Sequence, residues 1–138
     1  MFLVDTNVLL DLVTGDPAWA DWSVAALEAA ALLGPLVIND VVYAELSVRY
    51  RDIGEMDAMI AAAELVHAPI PKEALFLAGK AFHAYRRAGG SRTGVLPDFF
   101  IGAHAAVAGW TLITRDVGRY RAYFPGLALR TPEEGANR

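Results

Sequence analysis

The chain has no cysteine, which excludes disulfides and thiolate metal sites. Its three histidines, His67, His83 and His104, stand far apart without paired ligand spacing, which argues against a zinc hydrolase. No Lys or Arg precedes Arg49, and an N-terminus without a basic region, carrying Asp5 inside its apolar run, does not read as a targeting segment. The longest uncharged stretch, Phe99 to Thr114, holds His104 and is broken by Gly102 and Gly109. It falls short of the ~20 apolar residues that a spanning helix needs. The expectation is a cytoplasmic protein with no membrane contact. A phosphate-cradling glycine loop is missing too, because Gly79-Lys80 has no earlier Gly at the right spacing and no following Ser or Thr. Gly89 and Ser91 partly imitate a serine-nucleophile elbow, but Thr93 stands where the closing Gly belongs and no strand precedes it.

What is present fits one domain. A length of 138 residues allows a substantial core, and a hydrophobic fraction of 55% leaves apolar surface for a partner or a second copy. The net charge of −4 is unevenly spread. Residues 1–48 hold seven acids and no base, whereas residues 49–138 hold all 12 bases and nine acids. The overall sign argues against nonspecific polyanion binding, while the asymmetry suits an acidic pocket beside a basic rim.

The opening stretch organises the rest. Phe2-Leu3-Val4 reads as a buried strand, Asp5 closes it, and Thr6 or Asn7 can cap a helix through Val8, Leu9, Leu12 and Val13. A strand this apolar is expected at the centre of a sheet, with Asp5 in the crevice at its carboxyl end. A second helix carries Trp19 and Trp22, which suit either core or an exposed anchor, and stops at Gly34-Pro35. Leu36-Val37-Ile38 is a second strand, capped by Asn39 or Asp40. On the next helix Glu45 shares a face with Val41, Val42 and Val48. A carboxylate on an apolar stripe is unusual unless paired or metal-bound, and taken alone it reads as a side chain reaching out to water.

Residues 53–66 and Lys72 to Ala88 read as helices separated by a short extended piece from Leu65. Pro97 and Asp98 open another helix. Its Asp98 face continues through Ile101, Gly102, Ala105, Ala106 and Gly109, small enough for close packing. Stabilising the helix N-terminus is a sufficient reason for Asp98, and His104 reads as packing. Trp110 to Asp116 repeats the opening pattern of apolar strand and terminal acid. A short basic segment with Arg119 and Arg121 and a last strand at 127–129 follow. The tail, residues 131–138, is polar, so the domain is placed at 1–130. Strand–helix alternation predicts an α/β fold with a central parallel sheet.

In a parallel sheet Asp5, Glu45, Asp98 and Asp116 share one edge. Four carboxylates in one crevice resist ionising together and are tolerable around a shared cation. Hard oxygen ligands favour magnesium or manganese. With Val4-Asp5-Thr6-Asn7, Ala44-Glu45-Leu46, Pro97 to Ala105 and Thr114-Arg115-Asp116 in this order, the chain resembles the PIN-domain ribonucleases. Among these it is most similar to the VapC toxins of bacterial toxin–antitoxin pairs. The resemblance spans nearly the whole chain and implies a three-layer α/β/α fold, Mg²⁺- or Mn²⁺-dependent cleavage of RNA, homodimers, and an antitoxin protein that blocks the site. It places the catalytic acids at Asp5, Glu45, Asp98 and Asp116. Asp5, Asp98 and Asp116 would ligate metal directly, and Glu45 directly or through water. Thr6, Asn7 and Thr114 would orient those ligands, and Arg92 and Arg115 are candidate RNA contacts at the rim. Two rivals are a haloacid-dehalogenase-like phosphatase, whose second Asp would here be Asn7, and a non-catalytic PIN-like binding module.

Overall fold

The computed structural model describes residues 1–132. It contains β1 (Phe2–Val4), α1 (Thr6–Thr14), α2 (Ala20–Ala31), β2 (Leu36–Asn39), α3 (Asp40–Ser47) and α4 (Ile53–Ala62), in that order. The chain continues through β3 (Leu65–Ala68), α5 (Lys72–Arg87), α6 (Pro97–Ala108), β4 (Thr111–Ile113), α7 (Gly118–Tyr123) and β5 (Leu129–Arg130). The five strands form one parallel sheet in the order β3-β2-β1-β4-β5. Helices enclose it in the expected three-layer α/β/α arrangement.

The central place of β1 follows from its composition. Leu3 and Val4 are fully buried and register against Val37 of β2 and Leu112 and Ile113 of β4. A parallel strand with both faces covered has no polar side to show. At the edge, β3 exposes Val66 and His67. Because every strand runs the same way, their carboxyl ends share one rim, and that is where the chain turns into α1, α3 and α7.

Local chemistry sets the turns. Asp5, in extended conformation, closes α1 itself: its Oδ1 accepts from Thr6 N at 2.7 Å. The cap is therefore the strand's terminal acid rather than Thr6 or Asn7. Asn39 caps α3 by accepting from Val42 N at 3.0 Å. Helices α1 and α6 end on Gly15 and Gly109 in left-handed conformation (φ 63° and 72°), which glycine adopts without steric cost.

Several boundaries differ from the sequence expectation, among them that of the second helix, which spans Ala20–Ala31 and leaves Trp19 at its N-cap. The helix expected to reach residue 66 stops at Ala62, and β5 begins at Leu129 rather than at residue 127. In α3 the buried stripe is Val42 and Leu46, while Val48 is 86% exposed because the helix ends before it. Thr131 is buried, and residues 133–138 of the expected tail lie outside the described residues. No described helix is long and apolar enough to cross a membrane.

His104 packs as expected. It is buried, its Nδ1 lies 3.3 Å from Asn39 Nδ2, and its ring sits 5.1 Å from that of Trp110. Burial holds its pKa below the ordinary value, against the opposing charge of Asp40. His67 meets Asp40 at 2.7 Å, and His83 is exposed on α5.

Candidate active site at the carboxyl edge of the sheet

Asp5 is the hub. It is only 5% exposed, and its Oδ2 accepts from Thr114 Oγ1 and from Tyr120 OH, each at 2.8 Å. Burial pushes its pKa up to about 6; the nearby charge of Asp98 adds to this, while the Thr114, Tyr120 and Thr6 donors pull the other way. Burial thus outweighs three hydrogen-bond donors at this carboxyl.

Hydrogen bonds tie the other three acids to this hub. Thr114 Oγ1 accepts from Asp116 N at 3.1 Å, which holds the residue after the loop's arginine close to Asp5. Asp116 Oδ1 in turn accepts from Gly118 N at the start of α7. Tyr120 OH, donating to Asp5, lies 3.5 Å from Asp98 Oδ1. Glu45 Oε1 accepts from Thr6 Oγ1 at 2.7 Å, which explains an acid beside the buried stripe of α3. All four sequence-predicted acids thus join one network spanning β1, α3, α6 and the β4–α7 loop.

Thr6, Asn7 and Thr114 lie beside these acids. Asn7 Oδ1 accepts from Arg115 N at 3.2 Å, and its Nδ2 approaches Thr114 Oγ1 at 3.4 Å and Asp5 Oδ2 at 3.5 Å. Arg115 itself faces inward. Its Nε and Nη2 grip both oxygens of Asp11 at 2.6 and 2.9 Å, and its guanidinium lies 5.0 Å over the ring of Trp19. Asp11, 2% exposed, also accepts from Ser23 Oγ at 2.8 Å. Arg92 is exposed, with its backbone N donating to Tyr85 OH at 3.2 Å.

Three participants escaped the sequence reading. Tyr120 is 1% exposed and links two of the acids; burial, then the charges of Asp5 and Asp98, hold its hydroxyl far above the ordinary pKa. Arg119 Nη1 donates to Asp98 Oδ2 at 3.1 Å. Asp11 anchors Arg115. The signal for Asp11 was available, since it is an acid embedded among Leu9, Leu10, Leu12 and Val13, the same oddity that singled out Glu45. For Tyr120 the signal was its spacing of four from Phe124, which gives α7 a buried face. Gly102 admits that face: a Cβ there would stand 2.6 Å from the Phe124 ring and 3.1 Å from Tyr120.

Among the described residues, no group of three or more acidic or histidine side chains is gathered closely enough to hold a metal ion. The donor chemistry nevertheless suits a hard divalent cation. It consists only of oxygen, the charge of Asp98 adds to the burial that raises Asp5, and hydroxyls already orient Asp5 and Glu45.

An all-parallel α/β/α sheet with four acidic residues along its carboxyl rim defines the class of domain. Residues 2–125 match the PIN domain, and the chain belongs to that family. Solved structures share the fold. VapBC2 from Rickettsia felis, bound to a DNA fragment from its promoter, is 20% identical with a TM-score of 0.73, covering 94% of this chain and 97% of that one. FitAcB from Neisseria gonorrhoeae is 20% identical with a TM-score of 0.66, covering 96% and 99%. A toxin–antitoxin complex from Klebsiella pneumoniae is 25% identical with a TM-score of 0.65, covering 96% and 98%. Among curated proteins, none matches the chain in sequence.

Proposed function

We propose that the protein is a magnesium- or manganese-dependent endoribonuclease and the toxin of a toxin–antitoxin pair. The observation that carries this is the single network joining Asp5, Glu45, Asp98 and Asp116. PIN domains are typically nucleases acting on phosphodiester bonds, and the folds that this chain shares include toxin–antitoxin complexes. A phosphatase of the haloacid-dehalogenase kind needs a second acid where Asn7 stands, and Asn7 is instead engaged with the Arg115 backbone.

Asp5, Asp98 and Asp116 would hold the metal, with Glu45 joining directly or through water. When bound, the metal supplies the positive charge that the carboxylates lack, lowers the pKa of water and neutralises phosphate oxygens. The chain's own residues do the rest. Thr114 and Tyr120 fix the oxygen of Asp5, Thr6 fixes that of Glu45, and Asn7 holds the loop that presents Asp116. Hydrolysis in line with the leaving oxygen then gives a 5′-phosphate and a 3′-hydroxyl. The domain over residues 1–130 carries this activity.

The partners follow from the apolar surface. A cleft of about 360 Å³ opens between α2 and the end of α4, floored by Leu9 of α1, Leu36 of β2 and Leu65 of β3. We place an apolar segment of the antitoxin there. Trp19 covers Arg115 instead, and Trp22 packs on the core, so neither lines the cleft. The exposed side chains of Leu75 and Phe76 on α5 suit a homodimer.

Cleavage of single-stranded RNA with magnesium, and its loss with EDTA, tests the reading. Asp5→Asn and Asp116→Asn should each lower the rate at least about 100-fold while the protein stays folded, in keeping with the loss of a group that holds charge at the reaction centre. Undiminished cleavage by either folded variant removes that residue from the mechanism.

A further inference from the structure

We infer that Arg119 is the residue that receives the RNA phosphate at this site, and that the backbone runs on from it toward Arg92. The inference rests on the ribonuclease reading above. It starts from an electrostatic difficulty: a metal at the acids offsets their charge only locally, so a strand running past the rim is held by side-chain cations beside it. Of the three arginines around the cleft, Arg115 cannot serve. Its guanidinium is gripped at two points by a buried carboxylate and roofed by Trp19.

Arg119 is differently placed. Its side chain is 37% exposed and gives Asp98 a single hydrogen bond through Nη1. The guanidinium lies 5.6 Å from the Tyr85 ring centre and 5.8 Å from that of Phe99. Both rings belong to the core, so they fix the cation without consuming its N–H donors. A guanidinium has five donors in a planar fork that matches phosphate geometry. With one donor used, the free edge is available, and a side chain already held by two rings loses little freedom on binding. It also follows Gly118, whose N–H donates to Asp116 Oδ1, and precedes Tyr120, which meets Asp5 and Asp98. Its position is therefore tied to that of the acids.

Tyr85 gives the strand its direction. The ring that supports Arg119 carries the hydroxyl that accepts from Arg92 N. Arg86 Nη1 fastens the same loop by donating to the carbonyl oxygens of Arg92 at 2.9 Å and Gly90 at 3.3 Å. Gly90 lies so close that a Cβ there would strike the Tyr85 ring. The Arg92 loop is thus docked beside Arg119, and the exposed Arg92 side chain is the next cation outward.

The test is binding of a fluorescent single-stranded RNA of randomised sequence, in EDTA so that the strand stays intact, across a series of salt concentrations. Arg119→Gln should bind about tenfold more weakly, and its log–log salt slope should flatten by about 0.7, the loss of one phosphate contact on a single strand. Arg92→Gln should show a smaller loss of affinity with the same change in slope. A purely structural ion pair would leave the slope unchanged. Labelling the wild type with an arginine-specific dicarbonyl gives a readout that does not depend on a variant folding: RNA should protect Arg119 severalfold. A folded Arg119→Gln with wild-type affinity and slope, or Arg119 labelled equally with and without RNA, overturns the inference. Wild type that neither binds nor cleaves RNA overturns the ribonuclease reading and this inference together.

Discussion

Two arginine–aspartate pairs flank the acidic cleft, only four residues apart in their arginines, and they are built for different tasks. Arg115 and Asp11 meet through two short bonds, with Asp11 almost wholly buried and further held by Ser23. Arg119 and Asp98 meet through one bond of 3.1 Å, with both side chains partly in water. The first pair is a clamp. It fixes residue 115, whose neighbours on either side, Thr114 and Asp116, connect to Asp5. The second is a loose contact from which a cation can turn to another anion without leaving its aromatic support. Burial of the aspartate separates the two cases: Asp11 without its arginine would be a charge stranded in a poor solvent, whereas Asp98 and Arg119 are both partly in water.

The largest effect should come from the clamp. Arg115→Ala leaves the buried Asp11 carboxylate with Ser23 as its remaining donor, and should cost about 3–5 kcal/mol of stability, read by urea unfolding. A loss below about 1 kcal/mol, the range of exposed ion pairs, would place the two pairs in the same class and remove the distinction.

Next in size is the pH response of Asp5, which lies between the two pairs. Its folded pKa of about 6 exceeds the ordinary 3.8, so the folded protein binds the proton more tightly than the unfolded chain does. Above pH 6 folding carries the full penalty of the buried charge, on the order of 3 kcal/mol. The penalty is relieved as pH falls through 6 and is gone below 3.8. In EDTA, wild type should therefore gain stability relative to Asp5→Asn between pH 7.5 and pH 4.5. Unfolding curves for the two proteins that shift in parallel would mean that the hydroxyl donors, rather than a missing cation, balance Asp5.

The smallest effect belongs to the loose pair. Arg119→Gln should change stability by less than about 1 kcal/mol, while the proposal above expects it to weaken RNA binding. A larger loss in the same urea measurement would make Arg119 a second clamp.

The contrast between the pairs also shows what could be read from the chain alone. Arg92 and Arg115 were both legible as bases near the site, yet nothing local told an exposed arginine from one clamped to a buried carboxylate. Asp11 pairs with a residue 104 positions away, and Tyr120 reaches an acid 115 positions away. Such partners depend on β4 lying beside β1, a fact of strand order rather than of composition. Glu45 shows the same divide. Its place beside an apolar stripe was visible, whereas Thr6, the hydroxyl that meets it, lies on a different helix.

The sequence by itself determined the parallel α/β class, the central β1, nearly all of the elements, and the order in which Asp5, Glu45, Asp98 and Asp116 occur. These follow from apolar periodicity, proline and glycine punctuation, and acids placed at strand ends, all of which act within a few residues. Tertiary structure alone decided that Tyr120 links two of those acids, that Arg115 turns inward while Arg119 faces the cleft, and that the α2–α4 cleft is lined without either tryptophan. The reason is the range of the forces concerned: a hydrogen bond or a buried charge is worth something only at contact distance, and contact between distant segments is set by the packing of the whole sheet.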